Sequence, residues 1–224
     1  MKQTPILFND EMVRAILDGR KTQTRRVMKV QPPTDEHQLL HVMCSSNRRQ
    51  EGKSHWALLN AEKTLVIEGH KRFFSCPFGK PGGQLWVREA HAFVPQTAYR
   101  CSTGIYQQVN PNDNYEACVY RQNFDRSRSF PWRPSIHMPL WASRIMLEIT
   151  DIRVERLQDI SEKDARAEGV PGEKEANAAG LDWFDKPRRA FRFLWQSIIG
   201  PESWDENPWV WVIEFKRVDS AGHY

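Results

Sequence analysis

Eight consecutive residues, Gly19-Arg20-Lys21-Thr22-Gln23-Thr24-Arg25-Arg26, hold four cations and two hydroxyls. From Arg20 to Lys29 there are five basic residues and no acidic one, a concentration that favours an anionic partner. The same stretch holds a pair suited to covalent chemistry. A threonine hydroxyl is a weak nucleophile until a base takes its proton, and a lysine is such a base once its pKa is lowered. Arg20, Arg25 and Arg26 would lower that of Lys21 by like-charge repulsion, with desolvation in a cleft adding to the effect. Lys21 and Thr24 are three apart, so a regular strand would point them to opposite faces, and a turn or bulge has to bring them together. Without chemistry, the segment is a surface that contacts phosphate, with Thr24 donating a hydroxyl hydrogen bond.

The elements around this segment fix where it emerges. Residues 4–8 read as a short opening strand. Asn9 or Asp10 can cap a helix with Met12, Val13, Ile16 and Leu17 on one face, and Gly19 supplies the left-handed residue that ends it. Further on, Trp56–Leu59 and Thr64–Ile67 suggest a hairpin. A Gly/Pro-rich turn over Cys76–Gly83 leads into the apolar run Leu85-Trp86-Val87. Tyr115–Tyr120 reads as a strand, Arg133–Pro139 as an extended segment bracketed by prolines, and Trp141–Ile152 as a long strand. Ser161 opens a short helix ending near Glu168, residues 170–182 read as a loop, and Pro187 opens a helix with Phe191, Leu194, Trp195 and Ile198 on its apolar face. Trp209–Phe215 closes the chain as a strand. Short strands dominate, with three helices between them. The pattern predicts an α+β fold: a small β-barrel with flanking short helices, one domain over 1–224 with insertions at about 31–75 and 90–132.

The totals bound the rest. The 224 residues suffice for one generous domain, and 40% hydrophobic with 27% charged residues is the composition of a soluble globular protein. A net charge of +4 favours a polyanionic partner without requiring one. No apolar run approaches the roughly 20 residues that span a bilayer, and the N-terminus lacks a hydrophobic signal core. Cys44, Cys76, Cys101 and Cys118 form no C-x-x-C pair and read as reduced thiols. A cytoplasmic protein with no membrane partner is the simplest reading.

These residues resemble the ASCH superfamily, whose barrel is related to the PUA RNA-binding fold. Four anchors carry the resemblance: the Gly19–Arg26 segment, the turn into Leu85-Trp86-Val87, the Ile160–Gly169 segment with Ala165 and Glu168, and Val212-Ile213-Glu214-Phe215-Lys216. With the Arg133–Arg144 segment, the pattern is similar to the longer ASCH proteins of phages and prophages. The small bacterial N4-acetylcytidine amidohydrolases of that superfamily carry a G-R-K-T-x-T-x-R segment. Its catalytic lysine and threonine fall on Lys21 and Thr24, and the catalytic glutamate falls on Glu168. The resemblance thus implies an amide-hydrolysing set of Lys21, Thr24 and Glu168. This chain is more than twice as long as those enzymes, and Gly83 replaces an acidic residue of theirs.

Other side chains extend the candidate site. Trp86 can stack on a base, Arg88 lies beside it, and Glu89 can accept from a cytosine amine; a core tryptophan is the plainer role. Ser135, His137 and Arg144 would line a ligand site, with His137 equally suited to a structural role. His41, Cys44, His55, His70 and Cys76 offer metal-ligand types without finger spacing, so neither metal nor cofactor is expected. The leading expectation is a protein that binds RNA or a modified nucleotide in a basic cleft beside residues 19–26. The alternatives are an amidohydrolase acting on N4-acetylcytidine-type nucleosides, a metal-dependent ribonuclease, and a phage accessory protein that binds a host protein.

Overall fold

The computed structural model of the chain describes residues 3–64, 66–69, 72–126, 131–172, 177 and 186–218. Strand β1 (Gln3–Leu7) leads into helix α1 (Asp10–Leu17). The Asn9 side chain accepts from the Met12 N–H at 2.9 Å, satisfying one donor that the helix itself cannot. Asp10 and Glu11 occupy the first turn, where negative charge is favoured. Gly19 then takes φ +73°, a conformation that costs glycine little and other residues more.

Five strands form the main sheet, in the order β1-β6-β10-β11-β2. These are β1, β2 (Gln23–Val27), β6 (Gln84–Arg88), β10 (Met146–Arg156) and β11 (Trp209–Val218). β1 runs parallel to β6, and the other pairings are antiparallel. The stretches expected as insertions carry the other sheets: β3 (Gln38–His41), β4 (Ser54–Leu59) and β5 (Val66–Gly69) in one, β7 (His91–Pro95), β9 (Glu116–Tyr120) and β8 (Gln107–Val109) in the other. Where the sequence predicts a small barrel, the described strands make open sheets. β1 and β2 remain edges, bridged by a side chain: Arg26 Nη2 donates to the Leu7 carbonyl at 2.6 Å.

A register shift between Ile149 and Asp151 bends β10 where the Gly-rich turn meets it. Gly82 N–H donates to the Ile149 carbonyl at 2.8 Å, and Ile149 N–H to that of Gly83 at 2.9 Å. A Cβ on Gly83 would stand 2.9 Å from the Lys80 carbonyl oxygen, so no side chain fits this turn without movement.

β11 joins two cores. Trp211, Ile213 and Phe215 pack with α1, β1, β6 and Trp56 on one side. Val210 and Val212 pack on the other with α2 (Glu162–Ala167) and α3 (Pro187–Ile199), through Leu157, Ala165, Phe191 and Trp195. A strand covered on both faces has no polar face to show, which explains its unbroken apolar run.

Two segments depart from expectation. Residues 141–145 do not extend β10 backwards: Leu140–Ala142 is a 3-10 turn after Pro139, held as Trp141 stacks on Phe93 with ring centroids 5.5 Å apart. β10 instead starts at Met146 and runs four residues past Ile152. Ser135–His137 also forms a 3-10 turn rather than continuing extended. The expected 170–182 loop falls mostly outside the described residues. Among those described, no helix is long and apolar enough to cross a membrane.

Candidate functional site

The basic segment leaves α1 at a turn that sets Lys21 ahead of β2, while Thr24 lies within that strand. Arg20 and Lys21 both donate their backbone N–H to the Ala15 carbonyl, at 2.8 and 2.9 Å. Lys21 forms an isolated antiparallel bridge with Glu168 before β2 begins. Thr22 N–H donates to the Ala167 carbonyl at 2.9 Å, and Phe215 N–H to that of Thr22 at 2.9 Å. The segment is thus stitched between the end of α2 and β11. Gly169, at φ +87°, turns the chain away at once; a Cβ there would lie 2.8 Å from the Cβ atoms of both Ala15 and Lys21.

Lys21 is buried. Its Nζ donates to the Glu168 carboxylate at 2.9 Å and to the Glu168 carbonyl at 2.8 Å, and it lies 5.7 Å from the Phe8 ring centroid. Burial lowers its pKa from the usual lysine range; Glu168 opposes that shift and the charges of Arg26 and Arg25 add to it. The other Glu168 oxygen accepts from Arg25 Nη1 at 3.3 Å. Arg25 Nη2 pairs with Glu155 at 2.8 Å and lies 3.7 Å from Asp164. Arg153 continues the network to Asp164 at 3.1 Å, to Glu155 at 2.5 Å and to Glu214. Burial alone would raise the Asp164 carboxyl, but hydrogen bonds from Ser161 and the charges of Arg153 and Arg25 hold it below its usual range.

The network's charge corrects the first impression of the segment. Lys21, Arg25 and Arg153 face Glu155, Asp164, Glu168 and Glu214. Carboxylates outnumber cations, so Lys21 and Arg25 do not form a phosphate cradle. Arg20 is also engaged, donating to the Gly169 carbonyl at 2.9 Å and pairing with Asp18 at 3.1 Å.

Beside the network lies a cavity of about 460 Å³, in the range of small-molecule sites. Thr24, Arg25, Arg26 and Glu168 supply part of its polar wall, with Lys29, Arg72 and Ser75. Phe74, Phe78, Trp211 and Met28 close one flank, and Phe191, Leu194, Trp195 and Ile198 of α3 the other. Lys21 is not part of the lining and reaches it through Glu168. Three donors belonging to lining residues, Arg25 Nε, Arg26 Nε and Trp195 Nε1, are buried without a hydrogen-bond partner. Such groups are uncommon in folded proteins, and a ligand carbonyl or ring nitrogen would satisfy them.

The remaining candidates separate from this wall. Trp86 is buried in β6 with the Arg88 guanidinium 4.7 Å from its ring centroid, and Arg88 Nε donates to the Met138 carbonyl at 3.0 Å. Glu89 is buried and clamped by Arg144 through bonds of 2.9 and 2.7 Å, with Arg144 lying 4.1 Å from the Tyr120 ring centroid. Both Glu89 oxygens are taken, which fits a structural pair better than a base reader. Burial raises the Glu89 carboxyl, against the pull of Arg144. His137 is exposed, and Ser135 lines a second cavity with Arg26. Among the described residues no group of three His, Cys, Asp or Glu side chains gathers as a metal site. His41 bonds Ser54 Oγ at 2.8 Å, and His70 lies outside the described residues.

Sequence reasoning missed Arg153, Glu155 and Glu214. Arg153 and Glu155 stand two apart on β10, and their shared face was the available signal. Compared with known proteins, the chain matches no family model, no curated protein and no solved structure.

Proposed function

We propose that this chain is an ASCH-type protein with a PUA-like core, and that its cavity binds a nucleobase carrying an acylated exocyclic amine and hydrolyses that amide. The fold assignment is supported by the convergence of the four anchor segments: β2, β6 and β11 share one sheet, and the end of α2 bridges to Lys21. One observation carries the activity. Thr24 and Glu168 line the same largely apolar cavity, and Glu168 is paired with the buried Lys21. A lysine whose pKa is lowered by burial, paired with a carboxylate that shares a cleft with a hydroxyl, supplies the groups that nucleophilic catalysis uses.

In the proposed reaction Thr24 Oγ adds to the acyl carbon. Its proton passes to the Glu168–Lys21 pair, and the carbonyl oxygen takes the orphaned donors of Arg25 and Trp195. The C–N bond breaks, the pair returns the proton to the amine nitrogen, and the base leaves. Water, deprotonated by the same pair, then adds to the threonine ester and releases the carboxylic acid with Thr24 restored. The test is incubation with N4-acetylcytidine, following cytidine release. Turnover that depends on Lys21, Thr24 and Glu168 is expected. No turnover, or turnover unchanged in Lys21→Ala, overturns the reading.

A second reading, RNA binding, is favoured by the outer face of α3. Lys186, Arg188, Arg189 and Arg192 line a shallow groove there with Glu162 and Trp204. Phosphate contacts release counterions, so RNA affinity through this face falls steeply with added salt. Affinity that is absent, or flat with salt, rejects it.

A further inference from the structure

The apolar cavity is not isolated. Met12, Arg26 and Ile198 line both it and a neighbouring cavity of about 470 Å³, so the two adjoin at these side chains. The second cavity has a different chemistry. Arg121, Arg133, Asp10 and Ser135 join Arg26 in its wall, with Trp132 beside them. Three guanidinium groups therefore share its wall with a single carboxylate; the first cavity is also cationic, lined by Arg25, Arg26, Lys29 and Arg72, but has the larger apolar wall.

Its polar groups are also unevenly used. Arg121 pairs with Asp10 through Nε at 2.5 Å, and its side chain is half exposed. Arg133 is exposed, its guanidinium 4.6 Å from the Phe93 ring centroid. Asp10 Oδ1 and Arg26 Nε are buried without partners, one an acceptor and the other a donor. A sugar hydroxyl can donate to the first, and a phosphate oxygen can accept from the second. Guanidinium groups are suited to phosphate because their N–H donors match the spacing of its oxygens.

We propose that the second cavity is a sugar–phosphate subsite, so that the ligand whose base enters the apolar cavity is a nucleotide, free or within a strand, rather than a bare nucleoside. This rests on the base-binding reading above but not on its catalytic step. The partition follows the apolar walls and the orphaned polar groups: the base sits against aromatic and aliphatic side chains, Asp10 takes the sugar, and Arg26, Arg121 and Arg133 take the phosphate. Arg26 stands at the junction.

The test compares cytidine, cytidine 5′-monophosphate, cytidine 3′-monophosphate and a short cytidine oligonucleotide, titrated by tryptophan fluorescence at low salt. A phosphate is expected to tighten binding by about tenfold or more over cytidine, and the gain should shrink as salt is added. The 5′ and 3′ isomers show which side the phosphate occupies, and a further gain with the oligonucleotide marks a strand as the natural source. Arg121→Ala combined with Arg133→Ala should remove the gain that phosphate gives over cytidine, while an unchanged circular-dichroism spectrum and thermal melt show that the variant is folded. Arg121→Lys, keeping the charge without the planar fork, should retain part of it. If cytidine binds and phosphate adds nothing, or the gain survives loss of both arginines, the subsite is wrong and the base cavity stands. If neither cytidine nor any nucleotide binds, both readings fall together.

Discussion

Lys21 Nζ stands 2.9 Å from Glu168 Oε2 and 2.8 Å from the carbonyl of the same residue, with both side chains sealed from solvent. The partners are 147 positions apart, and the contact closes the end of α2 onto the start of β2. A buried pair of this kind is held in place by the cost of breaking it. Removing one partner strands the other charge, at about 3–5 kcal/mol, although Arg25 partly compensates Glu168 here. Lys21→Met should therefore lower unfolding stability by several kcal/mol and Glu168→Gln by less, since the amide keeps its hydrogen-bonding shape. The double variant should be more stable than the sum of the single losses predicts. Urea titrations of the four proteins give the coupling. On the proposed amidase reading, each single variant should also lose about 10²-fold or more in rate when folded.

The pKa of Lys21 adds a pH dependence of known sign. Burial depresses it below the ordinary value of 10.5, with Glu168 opposing and the neighbouring arginines assisting. Between the folded and unfolded values the folded protein has lost this proton while the unfolded chain still holds it. The unfolded state then binds more protons, so this group's contribution to stability rises with pH across that window and is constant below it. The proposed amidase rate, which would need the neutral amine to accept a proton, should rise across the same window with its midpoint below 10.5. In Lys21→Arg both rises should disappear. Stability and rate measured against pH on the two proteins decide it.

Gly169 offers a test that leaves every charge in place. Its φ of +87° is unfavourable for other residues, and an added Cβ would collide with both Ala15 and Lys21 at 2.8 Å. Both atoms belong to packed elements that cannot swing aside. Gly169→Ala should cost about 2–5 kcal/mol, combining left-handed strain of roughly 1–2 kcal/mol with overpacking of roughly 1–3. Because the collision is with the Lys21 side chain itself, the folded fraction should also lose activity. Thermal melts beside initial rates would show both effects, and a variant of unchanged stability would mean that the turn is looser than the geometry indicates.

What the sequence disclosed about this site was local. The Asn9 cap, the stop at Gly19 and the chemistry available to Lys21 and Thr24 follow from residue type and short spacing. Glu168 was reachable through a resemblance, because nothing in its own neighbourhood singles it out. The charge balance was not legible. Arg25 looks like an exposed cation in a basic run, yet it is buried and meets Glu155 from 130 residues away. Periodicity states which face of a strand is apolar; it does not state which distant element covers a charged one. The same limit separates a barrel from an open sheet, since closure depends on whether β1 and β2 pair, and no pattern within either strand records that.

Glu89 and Arg144 make the contrast testable. Their two hydrogen bonds occupy both carboxylate oxygens, and Tyr120 covers the guanidinium. Burial raises the Glu89 carboxyl and Arg144 counters it, so the charged form depends on this one partner. A structural pair predicts that Arg144→Ala costs about 3–5 kcal/mol, while Glu89→Gln costs less because an amide still accepts from Arg144. It also predicts that neither change alters which base is preferred, because neither residue lines the cavity. A glutamate reading a cytosine amine predicts the opposite, since loss of its charge would erode discrimination by about 1–3 kcal/mol. Urea unfolding of both variants, with their rates on N4-acetylcytidine and N6-acetyladenosine, separates the two. Unchanged preference with lost stability assigns Glu89 to the scaffold, and the base must then be selected by the walls around Thr24.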